Sequence, residues 1–170
     1  MLRFFHSPAI YSLTMYRFGW YFLFLAIIFS SCASGRKTAN TDNQIDTVIK
    51  SARSFTGTPY KWGGMTRSGM DCSGLLCNAF SSIDYSLPRT SAAQSQVGDK
   101  VKKNEIRPGD LVFFATGRSR RKVTHVGLVT TVKKGEVWFI HSSSSLGVIE
   151  SKLSTNYYAK RFLMARRPID

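Results

Sequence analysis

One cysteine and two histidines have the residue types and the sequence context that nucleophilic catalysis requires. Cys72 follows Asp71 at the start of a segment that is predicted to be helical. A helix N-terminus favours negative charge and therefore the thiolate, the nucleophilic form of cysteine. His125, in a predicted strand, could take the thiol proton, and His141, in the next strand, could orient the first ring. Either histidine alone would more commonly be a strand residue without a chemical role, so the interpretation rests on the combination.

The loop between the two predicted strands decides whether the histidines can meet. Residues 133–135 predict a three-residue hairpin loop that ends in a glycine, the residue such loops favour at their left-handed position. This loop would pair Val132 with Glu136 and, further along, Gly127 with His141. Opposed residues share a face of the sheet, so both histidines would lie on one side. A two-residue loop would place them on opposite faces.

Helices are predicted before these strands. Apolar residues recur at helical intervals between residues 45 and 55, and this helix is expected to begin near Thr41. A second helix begins at Cys72, and Ser91 is expected to cap a short third one. Strands are predicted at residues 110–114, 123–132, 136–142, 147–149 and 161–166. This order predicts an α+β fold in which N-terminal helices pack on a central antiparallel sheet.

The N-terminus has the pattern of a bacterial lipoprotein signal. Residues 18–29 are uncharged and apolar, which is the length of a signal h-region and shorter than the roughly 20 residues of a membrane span. Small residues then lead to Cys32, which would become the acylated first residue, and translation could start at Met1 or at Met15. An uncleaved anchor helix is the alternative. We expect a signal peptide, a flexible tether and one catalytic domain, at residues 1–32, 33–41 and 42–170.

The chain is strongly basic, with 24 lysines and arginines against 10 acidic residues and a net charge of +14. Removal of the residues before Cys32 leaves 22 basic and 10 acidic residues, a net charge of +12. Such a surface favours anionic partners. Export argues for a carboxylate-rich envelope polymer and against nucleic acid, and a solvated basic face without a partner is the simpler alternative.

The remaining cysteines show no pairing or metal pattern. Cys72 and Cys77 are five positions apart on one predicted helix, which turns their side chains about 140° from each other, so no disulfide is expected. Neither the cysteines nor the histidines have a zinc-site spacing. We therefore expect no metal and no cofactor.

Six sequence blocks resemble, in the same order, those of the NlpC-type cell-wall cysteine peptidases. The blocks are Pro59–Gly64, Asp71–Leu75, Leu87–Ser91, Pro108–Phe114, His125–Val129 and Ile140–Ser143. The resemblance extends from about Ile45 to Pro168. It implies a papain-like fold and hydrolysis of amide bonds in peptidoglycan stem peptides, usually the bond between the γ-carboxyl of D-glutamate and the diamino acid.

Three other activities are alternatives. A relative of this kind could cleave cross-links between stems instead, or bind the wall without catalysis. Wall binding without catalysis would be indicated by the loss of Cys72 or His125, and both residues are present. Distant relatives transfer acyl groups with the same residues in a rearranged order, whereas the cysteine here precedes both histidines.

The resemblance also implies roles for individual residues. Cys72 corresponds to the nucleophile, His125 to the base and His141 to the third polar residue. Tyr60 corresponds to a tyrosine that positions the nucleophile or the oxyanion.

Further residues match positions that contact the free amine of the substrate in relatives that cut released stems: Asp71, Ser73 and Ser91. Asp71 would then distinguish released stems from stems still bound in the wall, although Asp71 and Ser91 could equally be helix caps. Attachment through Cys32 argues instead for a substrate in the wall. We expect a monomer anchored by lipid at the periplasmic face of the outer membrane, with peptidoglycan as its partner.

Overall fold

The structure, a computed structural model, describes residues 32–170. Residues Thr41–Asp170 form one compact unit. The expected signal segment up to residue 31 lies outside the described residues. Within the described part, no helix combines the length and the apolar character needed to cross a bilayer.

Helix α1 (Cys32–Arg53) starts earlier than the predicted position near Thr41. Residues 33–41, expected to be a flexible tether, are therefore helical. No proline interrupts this segment, and its alanines, lysine and arginine favour a helix, whereas Gly35 and the serine, threonine and asparagine residues do not. Four residues of the predicted apolar stripe lie in α1 and are buried, Ile45, Val48, Ile49 and Ala52. The fifth, Phe55, lies beyond the end of the helix and is partly buried.

Helix α2 (Cys72–Ser81) carries the candidate nucleophile at its first residue. One face of the helix is completely buried and consists of Leu75, Leu76, Ala79 and Phe80. Burial of each of the large side chains contributes about 1.5–3 kcal/mol, which fixes the helix against the sheet.

The short helix α3 (Ser91–Gln94) begins one residue earlier than predicted. Its N-cap is Thr90, whose Oγ1 accepts the N–H of Ala93 at 3.2 Å. The predicted capping role of Ser91 is therefore wrong, and Ser91 is the first helical residue.

A six-stranded antiparallel sheet forms the second half of the unit. Its strands lie in the order β3-β8-β4-β5-β6-β7. Their bounds are β3 Asp99–Val101, β4 Leu111–Phe114, β5 His125–Lys133, β6 Glu136–Ser143, β7 Gly147–Lys152 and β8 Phe162–Arg167. Helix α4 (Asn156–Ala159) lies between β7 and β8 in the chain, and a 3₁₀ turn covers Lys103–Glu105. The predicted α+β class is confirmed.

Three short strands were not predicted from the sequence. Strands β1 (Met65–Thr66) and β2 (Gly69–Met70) form a two-stranded hairpin directly before α2. Strand β3 pairs with β8 at the edge of the large sheet. With two or three residues each, these strands are too short to show an alternating pattern.

Strands β5 and β6 pair as predicted, but with a shorter loop and a bulge in place of the three-residue loop. The loop has two residues, Lys134 and Gly135, both with positive φ, and Lys133 pairs with Glu136. The register then shifts at a bulge between Val129 and Thr131. Beyond the bulge Leu128 pairs with Ile140, so that continuation of the ladder sets Gly127 opposite His141, as predicted. The single extra residue in β5 cancels the effect of the shorter loop.

Candidate active site

Cys72 lies in a cavity of about 990 Å³ that is also lined by His125 and Tyr60. The side chain is only 8% exposed. Burial raises the pKa of the Cys72 thiol, and the nearby Asp71 carboxylate raises it further, whereas backbone hydrogen bonds from Val126 and Ser73 lower it. The net direction is upward, so the helix N-terminus does not produce the low thiol pKa that the sequence predicted. Desolvation outweighs these backbone hydrogen bonds.

The two histidines form a direct contact on one face of the sheet, as predicted. Nε2 of His125 lies 3.0 Å from Nδ1 of His141. This contact leaves Nδ1 of His125 as the ring nitrogen available to the thiol. Burial lowers the pKa of His125 to about 4, and burial together with the neighbouring ring lowers the pKa of His141 to about 3. Both rings are therefore neutral at pH 7.

Two residues absent from the sequence-based site support the second histidine. Nε2 of His141 lies 3.1 Å from Oγ of Ser151 and 3.1 Å from the hydroxyl of Tyr158. His141 itself is fully buried. Burial, with the adjacent Tyr157 adding to it, raises the pKa of Tyr158 to about 12, so the phenol stays protonated. No sequence signal identifies Tyr158, because its helix α4 is only four residues long.

These contacts are compatible with one set of tautomers when His125 acts as a base. Nδ1 of His125 must be unprotonated to accept a proton, so its Nε2–H donates to Nδ1 of His141. His141 then carries its own proton on Nε2 and donates it to Ser151 or Tyr158. This chain of neutral groups fixes the ring orientation and contains no carboxylate to balance an imidazolium. The charged form of His125 is therefore favoured only while a substrate develops compensating negative charge.

Asp71 is held in a network that the sequence analysis did not predict. Arg89 contacts both carboxylate oxygens, at 2.9 Å and 2.7 Å. The same carboxylate accepts the N–H groups of Gly63 at 2.9 Å and Gly74 at 2.7 Å, and the hydroxyl of Ser73 at 3.0 Å. Burial raises the pKa of Asp71, but the Arg89, Gly74 and Ser73 hydrogen bonds outweigh it and leave this pKa below its usual value.

This network changes the expected role of Asp71. A carboxylate that accepts five hydrogen bonds, two of them from one guanidinium, has its charge and its lone pairs already engaged. The oxygen of Ser73 is likewise engaged by Arg89, at 2.9 Å. Asp71 is the N-cap of α2 and a partner of Arg89, and this arrangement provides no free carboxylate for a substrate ammonium. The only sequence signal for Arg89 was its position in the block Leu87–Ser91.

The other predicted site residues lie at the same cavity. Burial raises the pKa of Tyr60, and the negative charges of Asp71 and of Cys72 in its thiolate form raise it further. Ser91 lines the cavity wall near Arg89. Six of the seven predicted residues thus line one cavity, and the seventh, His141, lies behind His125.

A family model described as NlpC/P60 family matches residues 57–167. A protein of Escherichia coli strain K12 with the name "Probable endopeptidase NlpC" is 44% identical over 116 residues, which are 68% of this chain and 72% of that protein. The Escherichia coli K12 protein "Murein DD-endopeptidase MepS/Murein LD-carboxypeptidase" is 38% identical over 114 residues, 66% of this chain and 57% of its own length.

Two further similar proteins are matched over less than half of their own length. The "Gamma-D-glutamyl-L-lysine dipeptidyl-peptidase" of Bacillus subtilis strain 168 is 34% identical over 121 residues, 71% of this chain and 40% of that protein. The crystal structure of an NlpC/P60 family protein from Bacillus cereus superposes with a TM-score of 0.67 at 33% identity, over 74% of this chain and 40% of the other. The chain therefore spans well under half of that solved protein, and the likeness confirms the expected papain-like α+β fold.

Proposed function

This chain belongs to the NlpC/P60 family of peptidoglycan-cleaving cysteine peptidases, and we propose that Cys72, His125 and His141 carry out its hydrolysis of amide bonds in stem peptides. The contact of 3.0 Å between Nε2 of His125 and Nδ1 of His141 carries the assignment. It leaves Nδ1 of His125 to face the cavity in which the Cys72 thiol lies.

The reaction follows from these positions. Sγ of Cys72 attacks the scissile carbonyl while Nδ1 of His125 takes the thiol proton. The imidazolium then donates that proton to the leaving nitrogen, the C–N bond breaks, and a thioester remains on Cys72. Water attacks the thioester, with His125 again accepting a proton, and the thiol is restored. The hydroxyl of Tyr60, protonated because its pKa is raised, is the side-chain donor for the oxyanion.

The first candidate for the scissile bond is the D-γ-glutamyl–diamino acid bond. The sequence blocks support it, and the Bacillus subtilis relative is named for cleavage of the corresponding lysine bond. A cross-link between two stems is the second candidate. The engagement of Asp71 by Arg89 favours this alternative, because it removes the residue that would have selected released stems with a free amine.

Digestion of defined wall fragments separates the two candidates. Purified disaccharide-tetrapeptide monomers and cross-linked dimers are incubated with the protein and with its Cys72→Ala variant, and the products are identified by mass spectrometry. Cleavage of the monomer after D-glutamate supports the first candidate, and conversion of dimers to intact monomers supports the second. The absence of any product that depends on Cys72 would contradict the proposed activity.

The same digestion tests the free-amine preference. A released stem peptide is compared with its N-acetylated form, in the wild type and in Asp71→Asn. Because Arg89 engages the carboxylate, we expect acetylation to change kcat/KM less than about threefold. A loss of about tenfold or more in the wild type that Asp71→Asn abolishes would show that Asp71 binds the amine after all.

We further propose that the protein is attached to the membrane through acylated Cys32 and faces the periplasm from the outer membrane. The support is the apolar run of residues 18–29, the small residues before Cys32 and the absence of aspartate at the two positions after it. Metabolic labelling with a fatty acid analogue should label the wild type and not Cys32→Ser. Label that persists in Cys32→Ser would rule out acylation at this position, and fractionation of the envelope would locate the labelled protein.

A further inference from the structure

A strongly basic loop borders the active-site cavity. It joins β4 to β5, covers residues 116–124 and is called the rim loop below. Four of its five central residues are cationic, and all four are exposed: Arg118, Arg120, Arg121 and Lys122. Thr116 and Gly117 before them, and Val123 and Thr124 after them, line the cavity. The four cations do not line the cavity themselves, but they lie in the chain between two pairs of residues that do.

The base of the rim loop is fixed by one side chain. Oγ1 of Thr124 accepts the N–H groups of Thr116 at 2.8 Å and Gly117 at 3.1 Å, and it lies 3.1 Å from Oγ1 of Thr116. Thr124 immediately precedes His125. The two ends of the loop are thus joined beside the catalytic base, so the loop leaves and rejoins the sheet next to His125.

The positive charge of the rim loop is not neutralised nearby. Across residues 32–170 none of its four cations takes part in a salt bridge. With His125 neutral, the charged side chains that line the cavity are Asp71 and Arg89, and these pair with each other. An anionic group that enters the cavity therefore meets a net positive field from the rim loop alone.

The position of the base shows which part of the substrate the rim loop would meet. His125 must donate a proton to the leaving nitrogen, so the leaving fragment lies beside His125 and the acyl fragment beside Cys72. The rim loop ends directly at His125 and lies on the side of the leaving fragment. In a stem peptide this fragment carries free carboxylates, at the diamino acid or at the terminal D-alanine.

We propose that the rim loop is a subsite for the carboxylates of the leaving fragment of the stem peptide. This inference deepens the proposed function and rests on it. The subsite gives the enzyme a preference for stems with free carboxylates over stems in which these groups are amidated. Each exposed ion pair contributes little on its own, so the preference arises from several cations together and should weaken with salt.

Binding and turnover are measured separately. The Cys72→Ala protein is titrated with a stem tetrapeptide that has a free terminal carboxylate and with its terminal carboxamide, in low salt and in 1 M salt (where the screening length is roughly 3 Å). We expect the carboxylate form to bind about three- to tenfold more tightly in low salt, and about equally in high salt. Replacement of Arg118, Arg120, Arg121 and Lys122 by glutamine should abolish the difference.

A charge-matched control excludes a general effect of net charge. Four exposed lysines away from the cavity, Lys50, Lys100, Lys133 and Lys134, are replaced by glutamine, and the preference should persist. The proposal is overturned if the rim-loop variant prefers the carboxylate peptide as strongly as the wild type does. It is also overturned if the rim-loop variant and the lysine control lose this preference to the same extent. The proposal also fails if the rim-loop variant loses only its binding to vesicles of anionic phospholipid.

Turnover of the same two peptides by the active enzyme distinguishes a failure of the subsite proposal from a failure of the proposed peptidase function. Cleavage of both peptides without any difference in their binding contradicts the subsite and leaves the peptidase function intact. Cleavage of neither peptide contradicts the choice of scissile bond, while the binding measurement with the Cys72→Ala protein still decides whether the subsite exists.

Discussion

Replacement of His125 by alanine should lower kcat/KM for stem-peptide cleavage by roughly 10³- to 10⁴-fold. Burial raises the pKa of the Cys72 thiol, so little thiolate forms near pH 7 without a base. Nδ1 of His125 is the acceptor that makes attack possible. Steady-state kinetics on a fluorogenic stem peptide measure the loss, and thermal melting verifies that the variant is folded.

Variants of His141 and its supports serve as the matched comparison. His141→Asn should keep activity within about tenfold of wild type, because an amide oxygen can still accept the Nε2–H of His125. Tyr158→Phe should lower kcat by about two- to tenfold, since Ser151 remains as a partner of His141. Equal losses in His125→Ala and His141→Asn would show that the roles of base and orienting residue are wrongly assigned.

Activity should persist to unusually low pH, and the resting thiol should be protonated. The pKa of His125 is lowered to about 4, so this ring remains an unprotonated base above that value and becomes charged below it. We therefore expect kcat/KM to be flat from about pH 5 to pH 8 and to fall as the pH drops through about 4. An acid limb centred near the ordinary histidine pKa of about 6.5 would contradict the burial of His125.

Alkylation of Cys72 tests the other half of this prediction. In a protein with Cys32→Ser and Cys77→Ala, Cys72 is the one remaining cysteine. Because its pKa is raised, the rate of reaction with iodoacetamide should increase about tenfold for each pH unit between 6 and 8. A rate independent of pH over this range would indicate a preformed thiolate–imidazolium pair and would contradict the neutral resting state.

The sequence predicted the meeting of the two histidines for a reason that was only partly right. The three-residue loop it favoured does not form, because Lys134 and Gly135 alone make the turn with positive φ at both positions. This turn by itself would have put the histidines on opposite faces. The bulge near Thr130 restores their common face, and no residue type in β5 marks a bulge in advance. The number of residues between the histidines was enough to predict that they share a face. How these residues divide between the loop and a bulge in the strand could not be predicted from the sequence.

Contacts between distant parts of the chain were the least predictable. The spacing of Asp71 from Gly74 identifies a helix cap, and this role is confirmed at 2.7 Å. Its pairing with Arg89 depends on how the loop after α2 folds back over the start of that helix, which local pattern does not determine. The same holds for Tyr158, which reaches His141 from a four-residue helix. Apolar periodicity, by contrast, located the buried faces of α1 and α2 correctly, because burial follows directly from it.

The burial of Cys72 also affects how long the nucleophile survives between substrates. Oxidation to sulfenic acid and exchange with disulfides both proceed through the thiolate. At 8% exposure and with a raised pKa, the resting thiol contains little of this form and offers little access to an oxidant. Cys77 is half-buried on another side of α2, and burial raises its pKa as well. In an oxidising compartment the enzyme can therefore remain reduced while idle, since its sulfur becomes reactive only when a bound substrate allows His125 to take the proton.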